Sequence, residues 1–411
     1  MDVRQFGARG DGRTSDHQAF LTAIEAIAKQ RGGTLRVPPG DYRIGSLRLC
    51  SGLTLQLDAD ARLRALDDPE LFPVLAETAN RPGVIRALIW ADNASDIAIE
   101  GKGAIDGGGN SALTGADAAA QRFRPALMYI RNCQRLRFAG ISLLHSQFWT
   151  LHLLRCRDVT IDGLFVRTHP ARINADGIDP DGCENVRISR CDIWTGDDAI
   201  VLKSTEGDAC HQVEVSDCRL RSSCAALKLG TESIGTISDV RFRNCTIDES
   251  AVALALYMKD GGAYEQILFE DMRIEANGPF PLIVDITPRK PDQPKVGRIR
   301  DVQFRQIVIK GRGRALIEGR ANSPIEKIRM TDLIWQLPEP TPPPKDGKPR
   351  GAARVVIDQD AVDYSVGTGQ FIVAHARDVV LTRVRVEGAG NLRTPVDLHH
   401  CVDCTTDVTV E

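Results

Sequence analysis

One segment of the chain, VRISRCDI at residues 186–193, returns 27 residues later as VEVSDCRL at 213–220 and again as VRFRNCTI at 240–247. Each copy has an apolar residue or cysteine at positions n, n+2, n+5 and n+7, which is the two-residue period of β-strands on either side of a bend. Helical repeats need apolar residues three and four apart, and that pattern is missing from these copies. The segment therefore predicts pairs of short strands that recur along the chain.

Copies of this template run along most of the chain. Their first positions lie at Leu136, Val159, Val186, Val213, Val240, Ile267, Val302, Ile328 and Val379, with partial copies that start at Ile97 and Val408. A propeller also contains repeated short strands, but its antiparallel strands need hairpin turns, and Asn-Gly or Asp-Gly hairpin signals at two-residue spacing are not repeated here. The period instead fits an all-β fold, a parallel β-helix, in which each coil hydrogen-bonds to the coils above and below it.

The length and composition agree with one large solenoid. At about 150 residues per domain, a chain of 411 residues would suggest two or three domains, but a solenoid can occupy the full length. We therefore predict a single β-helix domain over residues 1–411. Hydrophobic residues make up 42% of the chain, enough for a large core, and this excludes disorder.

The charge balance argues against two classes of partner. The formal net charge is −3, which gives no support to a nucleic-acid or anionic-membrane partner. No run of about 18 apolar residues exists, so we expect no membrane span. No secretory signal follows Met1, so the protein is expected to be periplasmic or secreted if a signal has been removed and cytoplasmic otherwise. The oligomeric state does not follow from the sequence.

The cysteines fall into columns that follow the repeat. Seven of the eleven occupy equivalent places on successive copies, three residues before the first position (Cys133, Cys156, Cys183, Cys210) or at n+5 (Cys191, Cys218, Cys245). Coils stack about 4.7–4.9 Å apart, whereas a disulfide needs Cβ atoms about 3.5–4.5 Å apart. We therefore predict reduced, buried cysteines, with a disulfide framework as the alternative.

Two segments interrupt or close the regular coils. Residues 15–30 predict an amphipathic helix that caps the N-terminal end of the solenoid, with Phe20, Ile24 and Ile27 facing inward. Residues 336–351, QLPEPTPPPKDGKPRG, predict a long Pro-rich loop on one coil.

Two acidic segments differ from the polar residues that usually separate the apolar positions of the repeat. They are residues 174–179, NADGID, and residues 195–200, TGDDAI, and aligning their isoleucines places Asp176 and Asp198 on one column with Asp197 beside them. Carboxylates this close repel one another, which a structural protein has little reason to retain. Paired carboxylates suit glycoside hydrolysis, in which one protonates the leaving oxygen and another activates water. A calcium site and turn-capping aspartates are the alternatives.

The chain resembles a known family at several points. Residues 6–12, FGARGDG, resemble the entry motif of pectin-lyase-like β-helix proteins. Residues 174–176, NAD, and then 196–198, GDD, resemble the first two signatures of glycoside hydrolase family 28, the polygalacturonase and rhamnogalacturonan hydrolase family. Residues 148–152, FWTLH, are also similar to that family. The resemblance implies a single-stranded right-handed parallel β-helix and hydrolysis with inversion, without a cofactor or metal.

The same resemblance implies a role for each aspartate. Asp197 would be the general acid, while Asp176 and Asp198 would hold and deprotonate the attacking water. The chain departs from the polygalacturonase pattern at 224–226, CAA, where the family has Gly-His-Gly, and at 257–259, YMK, where it has Arg-Ile-Lys. The rhamnogalacturonan hydrolase branch also lacks that histidine, which favours a substrate of that type.

Further residues are candidates for substrate binding. Lysines near the acidic trio are suited to a uronate carboxylate or to holding the pKa of an aspartate down, aromatic rings offer flat faces for sugars, and an asparagine can orient an aspartate or a sugar hydroxyl. The candidates are Asn174, Lys203, Lys228, Tyr257, Lys259, Trp149 and Arg289. Solvated surface is the alternative role for the basic residues, and core packing is the alternative for Trp149.

The sequence thus predicts an inverting glycoside hydrolase with a carbohydrate substrate, an acidic pectin-like polysaccharide or oligosaccharide of galacturonan or rhamnogalacturonan type. A second hypothesis is a β-helix polysaccharide lyase or epimerase, which would need Ca²⁺ or a basic residue as its catalytic base. A third is a glycan-binding solenoid without catalytic activity.

Overall fold

Two compact units make up the chain, Met1–Asp197 and Asp198–Glu411. A computed structural model describes residues 1–77, 83–113, 123–290, 295–338, 369–388 and 395–411. Each unit consists of coils whose strands pair in parallel with the equivalent strands of the next coil. That both units form one continuous domain stays a prediction of the repeat.

The first unit contains three columns of parallel strands, each paired in sequence order. The first column contains Gly33–Val37, Leu53–Leu57, Ser95–Gly101, Gln134–Ala139, Arg157–Asp162 and Glu184–Ser189. The second contains Asp11–Ser15, Gly40–Ile44, Ala61–Ala65, Ala104–Asp106, Ser142–Leu144, Phe165–Arg167 and Asp192–Thr195. The third contains Leu47–Arg48, Ala87–Asp92, Ala126–Arg131, Leu151–Leu154 and Ile178–Asp181.

Short elements complete the first unit. The helix His17–Lys29 buries Phe20, Ile24 and Ile27, which confirms the predicted inward face, and it is slightly shorter than predicted. Asp16 is its N-cap residue, but the Asp16 side chain accepts hydrogen bonds from the N–H groups of Arg9 and Gly10 rather than from the helix. The remaining elements are two 3₁₀ turns, Val3–Phe6 and Pro69–Leu71, and an antiparallel pair, Ala76–Glu77 with Val84–Ile85.

The second unit continues the same pattern with longer strands. Its outer column contains Cys210–Ser216, Arg219–Ser222, Thr236–Ser250, Ala263–Ala276, Arg298–Lys310, Ile325–Gln336, Ala376–Glu387 and Val402–Val410. Its second column contains Ile200–Ser204, Ala225–Ser233, Val252–Met258, Leu282–Ile286, Ala315–Glu318, Phe371–Ala374 and Val396–His399.

The strand register confirms the predicted repeat. First positions pair with first positions, as in Leu136 with Val159 and Val213 with Val240. The bend between the two strands of a copy lies at n+4, where a residue has positive φ in Arg190, Asp217, Asn244, Asp271, Gln306, Asp332 and Arg383. Asp and Asn tolerate this left-handed conformation better than most residues, which explains their frequency at the bend. The predicted partial copy at Val408 is wrong in register. Val408 was predicted as a first position, but it pairs with Val384, which is an n+5 residue of the preceding copy.

The core lies between the columns and contains stacked equivalent residues. Phe242, Phe269 and Phe304 occupy the n+2 position of three successive coils, and their rings stack with centroids 4.8 and 5.1 Å apart. The seven columnar cysteines are buried, and all eleven cysteines are free thiols. The predicted reduced cysteines are therefore observed, and their side chains fill the core as small apolar groups.

Most of the predicted Pro-rich loop, from residue 339 onward, lies outside the described residues. Among the described helices, none is both long and apolar enough to cross a membrane.

Candidate active site

Asp197 lies in a turn directly after the strand Asp192–Thr195. A Cβ atom on Gly196 would lie 2.3 Å from the carbonyl oxygen of His169, so only glycine lets this turn pack against the 169–172 backbone. The Gly196 N–H donates to Thr168 Oγ1 at 2.9 Å and ties the two turns together. The close packing of the two turns therefore explains why glycine occupies position 196.

Asn174 orients Asp197 through its main chain. The Asn174 N–H donates to Asp197 Oδ2 at 2.8 Å. Asn174 has φ +57°, a left-handed conformation that asparagine adopts more readily than most residues and that turns its N–H toward the aspartate. The side-chain oxygen of Asn174 faces the guanidinium of Arg124, 3.5 Å from Nη1. The contact between the Asn174 N–H and Asp197 supports the predicted role of Asn174 in orienting an aspartate.

Asp176 shares an electrostatic neighbour with Asp197. Its side chain is buried just before the strand Ile178–Asp181, and its carbonyl accepts the Thr150 N–H at 2.9 Å. Burial, followed by the charge of Arg172, lowers the pKa of Arg124 to about 10, while Asp176 and Asp197 act in the opposite direction. Both aspartates therefore lie within the field of one buried arginine.

Trp149 belongs to an aromatic cluster in the first unit. Its ring is half-buried, stacks on Phe148 at 5.0 Å and meets the edge of His152 at 4.6 Å. His152 is buried and lies 3.1 Å from the carboxylate of Asp181. The cluster gives Trp149 a fixed orientation, and its contact with sugar stays a prediction.

Asp198 and Lys228 form a buried ion pair in the second unit. Lys228 Nζ lies 2.6 Å from Asp198 Oδ2, and the side-chain exposures are 10% and 2%. The Ala225 N–H donates to Asp198 Oδ1 at 3.3 Å. Ala225 occupies the position of the histidine in the family motif. At this position the chain therefore offers Asp198 a main-chain N–H, and the positive charge beside Asp198 comes from Lys228.

The other basic candidates also contact carboxylates. Lys203 Nζ lies 3.1 Å from Glu232 Oε2, and Lys259 pairs with Asp285. Arg289 binds Asp260 through Nε at 2.7 Å and Nη2 at 2.9 Å. Each of these cations is therefore held by a neighbouring coil.

Glu232 connects several of these cations. Burial alone would raise the pKa of Glu232, but the charges of Lys203, Lys228 and Arg289 outweigh it and hold the pKa at about 2. Glu232 therefore stays ionised at neutral pH and balances the lysines around it.

Tyr257 lies between two lysines. The Nζ atoms of Lys228 and Lys259 lie 5.7 and 5.4 Å from the Tyr257 ring centroid, within cation–π range. Burial raises the pKa of Tyr257 well above its ordinary value. Its hydroxyl is enclosed and makes no hydrogen bond to any described residue.

The structure brings several predicted residues into contact and reveals others. Asn174 contacts Asp197, and Lys228 contacts both Asp198 and Tyr257. Five further residues at these contacts were not among the site residues predicted from the sequence: Arg124, Arg172, Glu232, Asp260 and Asp285. The three acids, Glu232, Asp260 and Asp285, lie 26 to 29 residues from the cations they pair with. This separation is close to one coil, so the repeat length could have predicted these pairs.

An open groove of about 450 Å³ in the second unit is lined by glycine turns, including Gly235, Gly262 and Gly297, together with Arg298. None of the predicted site residues lines it.

Glu232→Gln is expected to destabilise the protein at neutral pH and to matter less in acid. The pKa of Glu232 lies at about 2 in the folded protein, below its ordinary 4.5, so its stabilisation is complete above pH 4.5 and is lost as the pH falls toward 2. Urea unfolding should show a loss on the order of 2 kcal/mol at neutral pH and a smaller loss in acid. Exposed Glu25→Gln serves as the control. A loss that does not change with pH would contradict the assignment.

Most of the chain matches a known protein family. Residues 29–334 match the family model of glycosyl hydrolases family 28. A probable polygalacturonase of Vitis vinifera is 33% identical over 211 residues, covering 48% of this chain and 43% of that protein. An exopolygalacturonase of Zea mays is 28% identical over 214 residues, covering 49% of this chain and 48% of that protein. The chain thus spans less than half the length of these curated relatives.

Two solved structures share the fold. The hyperthermoactive exopolygalacturonase of Thermotoga maritima has a TM-score of 0.68 at 25% identity, over 82% of this chain and 86% of that one. The family 28 exopolygalacturonase of Yersinia enterocolitica has a TM-score of 0.78 at 18% identity, over 99% of this chain and 78% of that one. The predicted right-handed parallel β-helix is confirmed.

Proposed function

The chain belongs to family 28 of the glycosyl hydrolases, as its motifs predicted, and from this membership we propose that it hydrolyses glycosidic bonds in a pectin-type galacturonan. The relatives named polygalacturonase support this substrate class. The identity to the Thermotoga exopolygalacturonase, which extends over most of both chains, supports it as well.

Asp197 is the proposed general acid, and Asp198 with Asp176 holds and deprotonates the water. The observation that carries this division is the buried contact between Lys228 and Asp198 at 2.6 Å. Lys228 donates to Asp198 Oδ2 and fixes the position of this carboxylate beside the proposed water site. Asp197 accepts the main-chain N–H of Asn174 at 2.8 Å, which orients its carboxyl group.

The substrate-binding roles of Trp149, Tyr257, Lys259 and Arg289 remain part of the proposal. Lys259 and Arg289 are already paired with Asp285 and Asp260, which weakens their attraction for a uronate. This weakened attraction for a uronate is compatible with a rhamnogalacturonan as well as a galacturonan.

A lyase or epimerase and a glycan-binding solenoid gain no support from a specific contact. The test is a panel of polygalacturonate, rhamnogalacturonan and neutral glycans, with the product anomer followed by NMR. We expect cleavage of an acidic member, with the first product of an α-linked substrate appearing as the β-anomer because water attacks the opposite face. A product that absorbs in the ultraviolet would instead identify a lyase, and binding without cleavage across the panel would identify a glycan-binding protein.

A further inference from the structure

Four cationic side chains are buried among the described residues: Arg124, Arg172, Lys203 and Lys228. The two lysines contact Glu232 and Asp198. Neither arginine forms an ion pair with any carboxylate of the described residues. The two arginines are therefore buried positive charges that the described part of the chain holds without a direct counter-charge.

The two guanidinium groups converge on one oxygen atom. The Nε atoms of Arg124 and Arg172 both donate to the carbonyl of Gln147, each at 3.2 Å. Arg172 also donates from Nη1 to the Ser111 carbonyl at 3.0 Å, and Arg124 donates from Nη2 to the Ile173 carbonyl. Main-chain carbonyls fix the direction of both groups but carry no net charge to neutralise them.

Burial and the mutual repulsion of the two guanidinium groups oppose this arrangement, and the charges of Asp176 and Asp197 offset it only in part. Burial lowers the pKa of both arginines, and the charge of Arg172 lowers that of Arg124 further. Like charges held together away from water are stabilised when an anion binds between them, and arginine presents parallel N–H donors that match a carboxylate. We propose that Arg124 and Arg172 form a subsite for the carboxylate of a sugar acid in the substrate.

Arg172 has one donor group that no described residue occupies. Its Nη2 group makes no hydrogen bond to any described residue, although Arg172 as a whole is only 3% exposed. The Arg124 guanidinium lies 5.3 Å from the centroid of the Phe148 ring, which precedes Trp149. Phe148 is buried, so its ring packs against the Arg124 guanidinium and helps to fix it.

The subsite is linked to the proposed general acid by two contacts. Arg124 Nη1 lies 3.5 Å from Asn174 Oδ1, and the Asn174 N–H donates to Asp197. A sugar acid bound by the arginines would therefore lie beside the residue that protonates the leaving oxygen. The inference rests on the proposed function, because it names the substrate group that this part of the site recognises.

The test compares binding of an oligogalacturonate with binding of its methyl ester, which keeps the sugar shape and removes the charge. Calorimetry on the full chain should show at least about tenfold tighter binding of the acid, declining with added salt. Arg172→Gln should abolish this preference while changing affinity for the ester by less than about threefold. Arg172→Lys should retain part of the preference for the acid. The control is Arg157→Gln, because Arg157 is exposed and pairs with Glu184, and this variant should retain the full preference.

Equal binding of acid and ester by the unmodified protein would overturn the inference, whether or not the Arg172 variants fold. So would an Arg172→Gln variant with native melting temperature and an unchanged preference. Binding needs no turnover, so the two proposals fail separately. If no glycan is cleaved but the acid binds through Arg172, only the hydrolase proposal fails. If galacturonan is cleaved and the preference is missing, only the arginine subsite fails.

Discussion

Asp197→Asn is expected to lower kcat on the galacturonan substrate by about 10²- to 10⁴-fold, with a much smaller change in KM. Asparagine keeps the size of the side chain and its acceptor for the Asn174 N–H, so the turn is expected to fold unchanged. What it removes is the proton that the leaving oxygen needs. The measurement is initial rate by reducing-sugar release, with the melting temperature recorded beside it.

The matched control is Asp192→Asn, because Asp192 lies five residues earlier in the same unit and pairs with Arg167. It should keep native kcat. If Asp197→Asn also keeps native kcat on a substrate that the unmodified protein cleaves, then Asp197 is not the general acid, and another carboxyl group must be sought.

Lys228→Met is expected to lower the free energy of unfolding by about 3–5 kcal/mol, because it leaves the Asp198 carboxylate buried without its counter-charge. The side chain of Asp198 is only 2% exposed, so water cannot replace the lysine. Methionine fills a similar volume, which separates the loss of charge from the loss of packing. Urea unfolding measures the effect, and kcat should fall with it because the proposed base loses the contact that positions it.

Lys310→Met is the control for this substitution. Lys310 pairs with Glu275, and both side chains are 55% exposed, so its loss should cost about 0.5 kcal/mol or less. Adding Asp198→Asn to Lys228→Met should recover part of the stability, since the buried charge is then gone. A loss below about 1 kcal/mol in the single variant, or no recovery in the double variant, would contradict the importance of this pair.

The coil register was predictable from residues that repeat. Val213 and Val240 lie one period apart and pair in the structure because alternating apolar residues have only one way to face the core. The same reasoning failed at Val408, where the last strand is short of a full copy and pairs one strand out of place. The helix His17–Lys29 was predictable from its apolar face, since Phe20, Ile24 and Ile27 recur at helical spacing.

The charge pairs were only partly predictable. Lys228 was a candidate, but its contact with Asp198 depends on the side-chain path between two coils. Arg124 and Arg172 were missed as functional residues because they bind main-chain carbonyls, which any residue type provides and no motif records.

The sequence by itself determined that this protein is a β-helix with aspartates at two neighbouring places in its repeat, because period and motif are properties of residue order. Only the tertiary structure decided which buried cations pair with a carboxylate and which bind main-chain carbonyls. The ion pairs of Lys228 and Lys259 join residues that are 30 and 26 positions apart, and distance and burial decide which neighbour each lysine binds. For Arg124 and Arg172, that choice leaves two buried charges facing one carbonyl oxygen, which residue order alone does not reveal.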